Sequence, residues 1–292
     1  MRLIRFRTGD GGPRIGILNG DAVTVLAAPG SLADLLALPL GEIREICTAP
    51  GGATTPAEEA ELLAPVDGRM EVWAAGVTYE RSRTARMAES EQSADSYDRV
   101  YAAERPELFF KSAAWRVRGP GAPVSVRSDS VIDVPEPELA VVLNAAGAVM
   151  GYTICNDMSS RSIEGENPLY LPQAKIYLGG CAVGPWIVPA WEIPDPYALT
   201  IRLTITRDGA TAWEGSAGTS ALHRKIDELA AYLFRADEFP AGVILSTGTS
   251  LVPELPFTLE AGDGVRIQIS GIGELANPVV RGKPRSPADA NP

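Results

Sequence analysis

The segment of residues 135–157 constrains the fold of this chain more than any other stretch. It contains two runs of mainly apolar residues, 139–143 and 149–155, separated by the small-residue sequence Asn-Ala-Ala-Gly at 144–147. Short runs of this kind on either side of a glycine-containing turn are typical of an antiparallel β-hairpin. We therefore expect this hairpin to be a central element of a β-sheet.

Acidic residues lie at the open end of the predicted hairpin. Glu136 and Glu138 are two positions apart, so on a strand their side chains project from the same face. If the turn lies at residues 144–147, the returning strand places Asp157 opposite residues 134–136. A set of carboxylates without His or Cys suits Mg²⁺, Mn²⁺ or Ca²⁺ better than zinc. The hairpin thus predicts a site for a hard divalent cation.

The alternative interpretation is that Glu136 and Glu138 belong to the solvated face of a sheet. Pro135 and Pro137 alternate with them and remove backbone donors, which fits an edge or the first residues of a strand. The apolar run that follows is typical of a buried strand, so it would direct the acids toward an interior cleft. These features favour the metal site.

Length and charge restrict the class of protein. At 292 residues the chain can form one large domain or two modest ones. A net charge of −11 argues against broad binding to the phosphate backbone of nucleic acid. There is no signal-peptide pattern and no apolar run of about 18 residues, so no membrane span is expected. The three cysteines are widely spaced, which predicts free thiols in a cytoplasmic protein.

The order of predicted elements indicates a β-rich α+β fold. Strand-like runs dominate, helices are few, and strands and helices do not alternate regularly. We predict a small N-terminal α+β domain at residues 1–68, a catalytic domain at 69–280 and a disordered, proline-rich tail at 281–292. Residues 79–104 are mostly polar, which predicts either a solvated surface helix or a mobile lid over a site.

Several common chemistries have no support in the sequence. The glycine-rich signatures of dinucleotide-binding and phosphate-binding loops are absent, as is Gly-x-Ser-x-Gly. The single histidine, His223, is predicted on an amphipathic helix formed by residues 222–233, where a surface or packing role is expected. Nothing nearby supports a Ser-His-Asp site, and the scattered cysteines predict no zinc site.

A series of motifs follows residue 70. They are Gly76-Val-Thr-Tyr79, Phe109-Phe-Lys111, Pro135-Glu-Pro-Glu-Leu-Ala-Val-Val, Gly151-Tyr-Thr-Ile-Cys-Asn-Asp-Met-Ser-Ser-Arg161, Lys175 ahead of Gly184-Pro-Trp, and Thr247-Gly-Thr249. In this order they resemble the fumarylacetoacetate hydrolase superfamily over about residues 70–280. The resemblance implies that Glu136, Glu138 and Asp157 bind a divalent metal, normally Mg²⁺. It also implies a mixed β-sandwich or β-roll catalytic domain behind a small N-terminal domain, and a homodimer or homotetramer.

One departure from the family pattern narrows the resemblance. Hydrolytic members follow the Gly-x-x-Tyr element with a His-x-x-Glu pair that activates water, whereas this chain has Ser82 and Ala85 at those positions. The chain is instead very similar to the 2-keto-3-deoxy-D-arabinonate dehydratase branch, which lacks the pair. That branch implies acid/base roles for Glu107 and Lys175. The further substrate contacts that we predict are Thr78, Tyr79, Ser82, Lys111, Arg161 and Thr249.

The function implied is a Mg²⁺-dependent dehydratase, a carbon–oxygen lyase of sugar-acid catabolism. It would convert the anionic 2-oxo acid 2-keto-3-deoxy-pentonate to 2,5-dioxopentanoate and water through a metal-stabilised enolate. Two alternatives stay open: a C–C hydrolase or decarboxylase of a β-keto or acylpyruvate acid, and a non-catalytic ligand-binding relative. Lys175 and Lys111 also have structural alternatives, Lys175 as the partner of a strand carboxylate.

Overall fold

The computed structural model describes residues 1–82 and 94–284 and is dominated by β-strands. The strands are β1 (Arg2–Arg7), β2 (Arg14–Asn19), β3 (Ala22–Leu26), β4 (Gly51–Pro56), β5 (Glu61–Leu63), β6 (Glu71–Gly76), β7 (Glu107–Ala113), β8 (Val124–Val126), β9 (Asp133–Val134), β10 (Pro137–Leu143), β11 (Val149–Asp157), β12 (Ser159–Ser160), β13 (Cys181–Pro189), β14 (Thr200–Arg207), β15 (Ala210–Gly218), β16 (Val243–Ser246), β17 (Gly264–Ile269) and β18 (Gly273–Arg281).

The helices for which the structure gives both ends are short and lie between these strands. The α-helices are Leu32–Leu36, Leu40–Thr48, Ala94–Ala102, Arg161–Glu166, Leu171–Lys175 and Ile226–Leu233. Short 3₁₀ helices are Ala57–Glu59, Ala114–Arg116, Pro168–Tyr170, Ala190–Glu192 and Thr219–Ala221. In the described part of the chain, no helix is long and apolar enough to cross a bilayer.

A large mixed sheet forms the centre of the molecule. Its eleven strands follow the order β4-β3-β2-β1-β13-β11-β10-β16-β6-β7, with β5 paired to β1 outside this path. Neighbours are antiparallel except β16 and β6, which run parallel. A second sheet has the order β15-β14-β17-β18-β8, and β9 pairs with β12. This architecture confirms the predicted β-rich α+β fold.

Two apolar cores lie on opposite faces of the large sheet. Leu139 of β10 belongs to the core that includes Leu203 and Ile267 of the second sheet. The next residue, Ala140, belongs to the other core, together with Leu35 from a helix of the N-terminal region. Successive residues of β10 therefore serve two cores, as expected for a strand that is covered on both faces.

The predicted hairpin is confirmed, with a small change of register. β10 and β11 are antiparallel and joined through the predicted turn, but Leu143 pairs with Val149 whereas Val142 pairs with Gly151. The bulge leaves one residue of β11 without a partner at this point. At the open end, the backbone N–H of Asp157 donates to the carbonyl of Glu136 at 3.0 Å. Glu136 is the last of the residues 134–136 that were predicted to lie opposite Asp157.

The predicted amphipathic helix at residues 222–233 is wrong at its start. The amphipathic helix begins at Ile226, so His223 precedes it, and the ring of His223 stacks on Tyr101 at 4.4 Å between centroids. Lys175 is the last residue of a short helix. The helix before it begins at Arg161, because Ser159 and Ser160 pair with β9.

Two other predictions fall partly outside the described residues. Of the polar segment 79–104, residues 83–93 are not described, and the helix Ala94–Ala102 follows them. Most of the predicted tail, residues 285–292, is likewise outside the described part of the chain. The disorder proposed for the tail and the choice between lid and surface helix remain predictions.

Candidate active site

The acidic triad, which we define as Glu136, Glu138 and Asp157, converges where β10 begins and β11 ends. Glu138 lies in β10, Asp157 is the last residue of β11, and Glu136 immediately precedes β10. One ligand atom from each carboxylate lies within 4.8 Å of the others, and all three side chains are buried. The hairpin therefore brings the predicted metal ligands together.

Two donors from the end of β16 hold Glu138. Its Oε2 accepts from the hydroxyl of Ser246 at 2.5 Å and from the backbone N–H of Gly248 at 2.8 Å. Burial raises the pKa of Glu138 well above its usual value, and the nearby acidic groups Asp157 and Glu136 add to the effect. A cation in the triad would counter this repulsion, because an opposite charge favours the ionised carboxylate.

Lys111 holds Asp157 from outside the triad. Its Nζ contacts Asp157 Oδ1 and donates to the carbonyls of Met158 at 2.9 Å and Lys175 at 2.6 Å. These contacts use the donors of an ammonium group, which carries three N–H bonds. The ammonium group of Lys111 therefore has three protein partners, and it holds both the carboxylate of Asp157 and the backbone of Lys175 in place.

Lys175 reaches the triad from the end of its helix. Its Nζ donates to Glu136 Oε2 at 2.7 Å, to Asp157 Oδ2 at 3.0 Å and to Ser159 Oγ at 2.6 Å. Arg161 contacts the other oxygen of Glu136 at 2.8 Å. Glu136 and Asp157 are therefore paired with cations, as buried charges require.

The donor set fits a hard divalent cation. Carboxylate oxygens are the ligands that Mg²⁺ prefers, and the three acids of the triad approach one another closely enough to share an ion. The hydrogen bonds that Glu138 accepts come from neutral donors, so a cation in the triad would supply a counter-charge for this carboxylate. The residues present therefore suit a bound Mg²⁺.

A pocket opens beside the triad and contains both predicted acid/base residues. Its described lining consists of Ala75, Gly76, Val77, Ser82, Glu107, Phe109, Glu136, Glu138, Asp157, Glu164, Lys175, Gly248 and Thr249. Glu107 enters from the start of β7 and Lys175 from its helix. A substrate that contacts the triad in this pocket would lie within reach of both groups.

The predicted substrate contacts separate into two groups. Ser82 and Thr249 line the pocket. The Ser82 hydroxyl donates to the carbonyl of Tyr79 at 2.8 Å, and the Thr249 hydroxyl donates to the carbonyl of Pro137 at 3.0 Å. Both hydroxyls therefore already hold the walls of the pocket in place.

The other predicted contacts lie behind the described lining. Thr78 donates to the carbonyl of Thr247 at 2.6 Å, and Tyr79 is buried in the apolar core. Lys111 is committed to Asp157 and two carbonyls, and Arg161 pairs with Glu136. In the structure these four residues support the pocket, and their direct contact with a substrate remains a prediction.

Sequence reasoning did not identify Glu164 and Phe109 as pocket residues. Glu164 lies three residues after Arg161, in the helix that starts beside the triad, and its side chain is buried. Phe109 lies two residues after Glu107, so both project from the same face of β7. The spacing of each from a predicted site residue was the signal available in the sequence.

Comparison with known proteins identifies the family. The model of the fumarylacetoacetate (FAA) hydrolase C-terminal family matches residues 71–280, and the model of the Rv2993c-like N-terminal family matches residues 1–65. The chain belongs to the fumarylacetoacetate hydrolase family. This confirms the family predicted from the motifs.

Two relatives within the family are dehydratases. A probable 2-keto-3-deoxyxylonate dehydratase of Haloferax volcanii is 51% identical over 215 residues, which cover 74% of this chain and 73% of the relative. The 2-dehydro-3-deoxy-D-arabinonate dehydratase of Saccharolobus solfataricus is 47% identical over 224 residues, covering 76% and 75% of the two chains.

A solved structure of the same kind of enzyme shares the fold. It is a 2-keto-3-deoxy-D-arabinonate dehydratase complexed with magnesium and 2,5-dioxopentanoate. Its TM-score to this chain is 0.82 at 37% identity, with 97% of this chain and 100% of that chain covered. The predicted metal is thus the one present in a homologous structure.

Proposed function

We propose that this family member is a Mg²⁺-dependent dehydratase that converts 2-keto-3-deoxy-pentonate to 2,5-dioxopentanoate and water. The observation that carries the proposal is the shared pocket of the acidic triad, Glu107 and Lys175. The similarity to dehydratases over about three quarters of the chain supports the same reaction.

The names of the two relatives are chemically consistent with one substrate. D-arabinonate and D-xylonate differ only in configuration at C2 and C3. Formation of the 2-keto-3-deoxy acid turns C2 into a ketone and C3 into a methylene, so both differences disappear. The D-series acids therefore give the same compound, which keeps a stereocentre only at C4.

The pocket residues have defined tasks in the proposed reaction. A Mg²⁺ in the triad would supply Lewis-acid polarisation of the carboxylate and 2-oxo oxygens, which acidifies the C3 proton. Glu107 and Lys175 divide two proton transfers: one removes the C3 proton, and the other protonates the departing C4 hydroxyl, which leaves as water. The C3–C4 alkene that remains then isomerises: C5 and its hydroxyl each lose a proton, and C3 and C4 each gain one, which gives the aldehyde of 2,5-dioxopentanoate.

The described lining of the pocket contains no histidine of the kind that hydrolytic members use to activate water. The chain has a single histidine, His223, which stacks on Tyr101 and does not line the pocket. Ser82 occupies the position that the family resemblance assigns to that histidine, and its hydroxyl binds the carbonyl of Tyr79. This favours dehydration over C–C hydrolysis.

The function is tested by offering two substrates to the purified protein with Mg²⁺. We expect NMR to detect 2,5-dioxopentanoate from 2-keto-3-deoxy-D-pentonate and no cleavage of an acylpyruvate. Cleavage of the acylpyruvate without formation of 2,5-dioxopentanoate would overturn the proposal in favour of a C–C hydrolase. Inertness toward both, with ligand binding retained, would favour a non-catalytic relative.

The role of Lys175 is tested separately by Lys175→Met. We expect turnover to fall by about 10²–10⁴-fold, the usual contribution of a positioned proton-transfer group. Mg²⁺ affinity should not weaken, because the substitution removes no carboxylate and frees the oxygens of Glu136 and Asp157 to which the Lys175 ammonium now donates. Turnover at the wild-type rate would exclude an acid/base role for Lys175.

We also propose that the protein is cytoplasmic and forms a homodimer or homotetramer. Its three cysteines are free, buried thiols, which suits a reducing compartment. The exposed indole of Trp115 and the exposed side chain of Leu169 are large apolar groups of the kind found in subunit interfaces. Sedimentation of the purified protein measures the number of subunits, and a monomer would contradict this proposal.

A further inference from the structure

Gly76 and Glu107 face each other across two antiparallel strands at the edge of the pocket. They are Cα partners in the pairing of β6 with β7, and both line the pocket. Side chains of directly opposite residues in an antiparallel pair project from the same face. Because glycine has no side chain, the space beside Glu107 on that face is left open.

The carboxylate of Glu107 occupies that space. A Cβ added to Gly76 would lie 2.0 Å from Glu107 Oε2, 2.6 Å from its Cδ and 3.3 Å from its Cγ. Distances below 3.0 Å are shorter than real Cβ contacts. The Glu107 carboxylate and a side chain at position 76 therefore cannot occupy this part of the pocket together.

Gly76 is not required by its own backbone conformation. Its φ lies outside the positive range that other residues rarely adopt, whereas the next residue, Val77, has a φ of 53°. Alanine could therefore adopt the backbone conformation of residue 76. The glycine is needed because a side chain there would occupy the space of the Glu107 carboxylate. We propose that Gly76 is a positioning residue, which sets the place of the Glu107 carboxylate in the pocket.

This inference rests on the proposed acid/base role of Glu107. It predicts that Gly76→Ala lowers the reaction rate but does not prevent folding. The atoms that must move in Gly76→Ala are the far end of a flexible side chain, so the protein should still fold. The displaced carboxylate, however, would lose its alignment, and a misplacement of about 1 Å can lower a rate by about 10²-fold.

The experiment is a double-mutant cycle of Gly76→Ala and Glu107→Gln, with turnover and Mg²⁺ affinity measured for each protein. We expect Gly76→Ala alone to lower kcat by about 10²-fold while Mg²⁺ affinity stays unchanged. In the Glu107→Gln background, Gly76→Ala should have no further effect, because residues that act through one group are not additive.

Gly215→Ala is the matched control. Its added Cβ would meet the ring of Trp213 at 2.5 Å, so it also displaces a neighbouring side chain, but neither residue lines the pocket. We expect wild-type kcat for this control. A thermal melt of each variant checks that the folded state is retained.

The turnover of the variants distinguishes the role of Gly76 from the role of Glu107. If Glu107→Gln is impaired but Gly76→Ala turns over like the wild type, the inference about Gly76 is wrong and the role of Glu107 stands. If Gly76→Ala lowers kcat equally in both backgrounds, Gly76 acts independently of Glu107, which also overturns the inference. Wild-type turnover by Glu107→Gln would overturn the acid/base role and the inference with it.

A Gly76→Ala protein that does not fold would also contradict the inference, because only a flexible side-chain end should have to move. Glu107→Asp provides a second test, since it withdraws the carboxylate by one methylene without altering Gly76. We expect a lower kcat and unchanged Mg²⁺ affinity for Glu107→Asp. Wild-type kcat would show that the place of the carboxylate is not critical.

Discussion

Lys111 and Lys175 have different tasks, although both ammonium groups contact Asp157. Lys175 lines the pocket, whereas Lys111 is enclosed by Asp157 and the carbonyls of Met158 and Lys175. A buried charge that loses its partner is strongly unfavourable. Lys111 is therefore expected to contribute to the stability of the fold, while Lys175 contributes to the reaction.

Lys111→Met tests this division of roles. The substitution leaves Asp157 without one cationic partner, so we expect the free energy of unfolding to fall by about 3–5 kcal/mol in urea denaturation. Lys283→Met is the control: Lys283 is exposed, so a change within about 0.5 kcal/mol is expected. Equal stabilities of the Lys111→Met and wild-type proteins would contradict the structural role.

Glu138 makes the affinity for Mg²⁺ depend on pH. Burial raises the pKa of its carboxyl, so the folded protein retains this proton at pH values where an unfolded glutamate, with a pKa of about 4.3, has lost it. By linkage, this group lowers the stability of the metal-free protein as pH rises between the two pKa values. Mg²⁺ requires the ionised carboxylate, so its affinity should fall as pH falls through the raised pKa.

Calorimetry in buffers of different ionisation enthalpy measures the proton that Glu138 releases. We expect Mg²⁺ binding to release protons at pH values below the raised pKa of Glu138 and to become weaker as the solution is acidified. Binding with no proton release and no pH dependence would show that Glu138 is already ionised in the metal-free protein.

At the scale of elements, the end of β16 shapes the site through its backbone. Gly248 has a φ of 91°, which favours glycine, and its N–H donates to Glu138. A Cβ there would lie 2.0 Å from Thr78 Oγ1 and 2.9 Å from the carbonyl oxygen of Ala75. The second of these is a backbone atom, which cannot move away as easily as a side-chain end.

Gly248→Ala should therefore weaken both the fold and the metal site. We expect a lower melting temperature and a lower Mg²⁺ affinity, measured by calorimetry, because the strained backbone withdraws its N–H from Glu138. Gly262→Ala is the matched control, since Gly262 has a φ of 99° but nothing within 4 Å of its added Cβ. If both variants lose Mg²⁺ affinity equally, the contact with Glu138 is not the cause.

The sequence predicted the elements of the site unevenly. Local periodicity and turn residues were sufficient for the hairpin that carries the triad, because its strands and turn are contiguous in the chain. The short helix that ends at Lys175 was missed, since five residues carry too little periodicity to reveal a helix. The enclosure of Lys111 depends on packing between distant segments, which no local pattern contains.

At the scale of the whole molecule, the N-terminal region is continuous with the large sheet. β1 pairs with β13, and Leu35 of the N-terminal region shares an apolar core with Val183 and Ile187 of β13. The predicted boundary between residues 68 and 69 is therefore crossed by both hydrogen bonds and apolar packing.

Deletion of residues 1–68 should expose the edge of β13 and part of this core. We expect the remaining chain to aggregate, because an exposed apolar strand edge promotes association. Solubility and size-exclusion chromatography of the fragment, compared with the intact chain, provide the measurement. A soluble, active fragment would show that the second region folds independently.

Dehydration by this protein should depend on a metal ion that the acidic triad binds. The most direct measurement is the rate of 2,5-dioxopentanoate formation by metal-stripped protein as Mg²⁺ is added, for the wild type and Glu138→Ala. We predict no product before Mg²⁺ is added, saturable turnover after its addition to the wild type, and no turnover in Glu138→Ala. Turnover without a divalent cation, or the same Mg²⁺ dependence in both proteins, would contradict it.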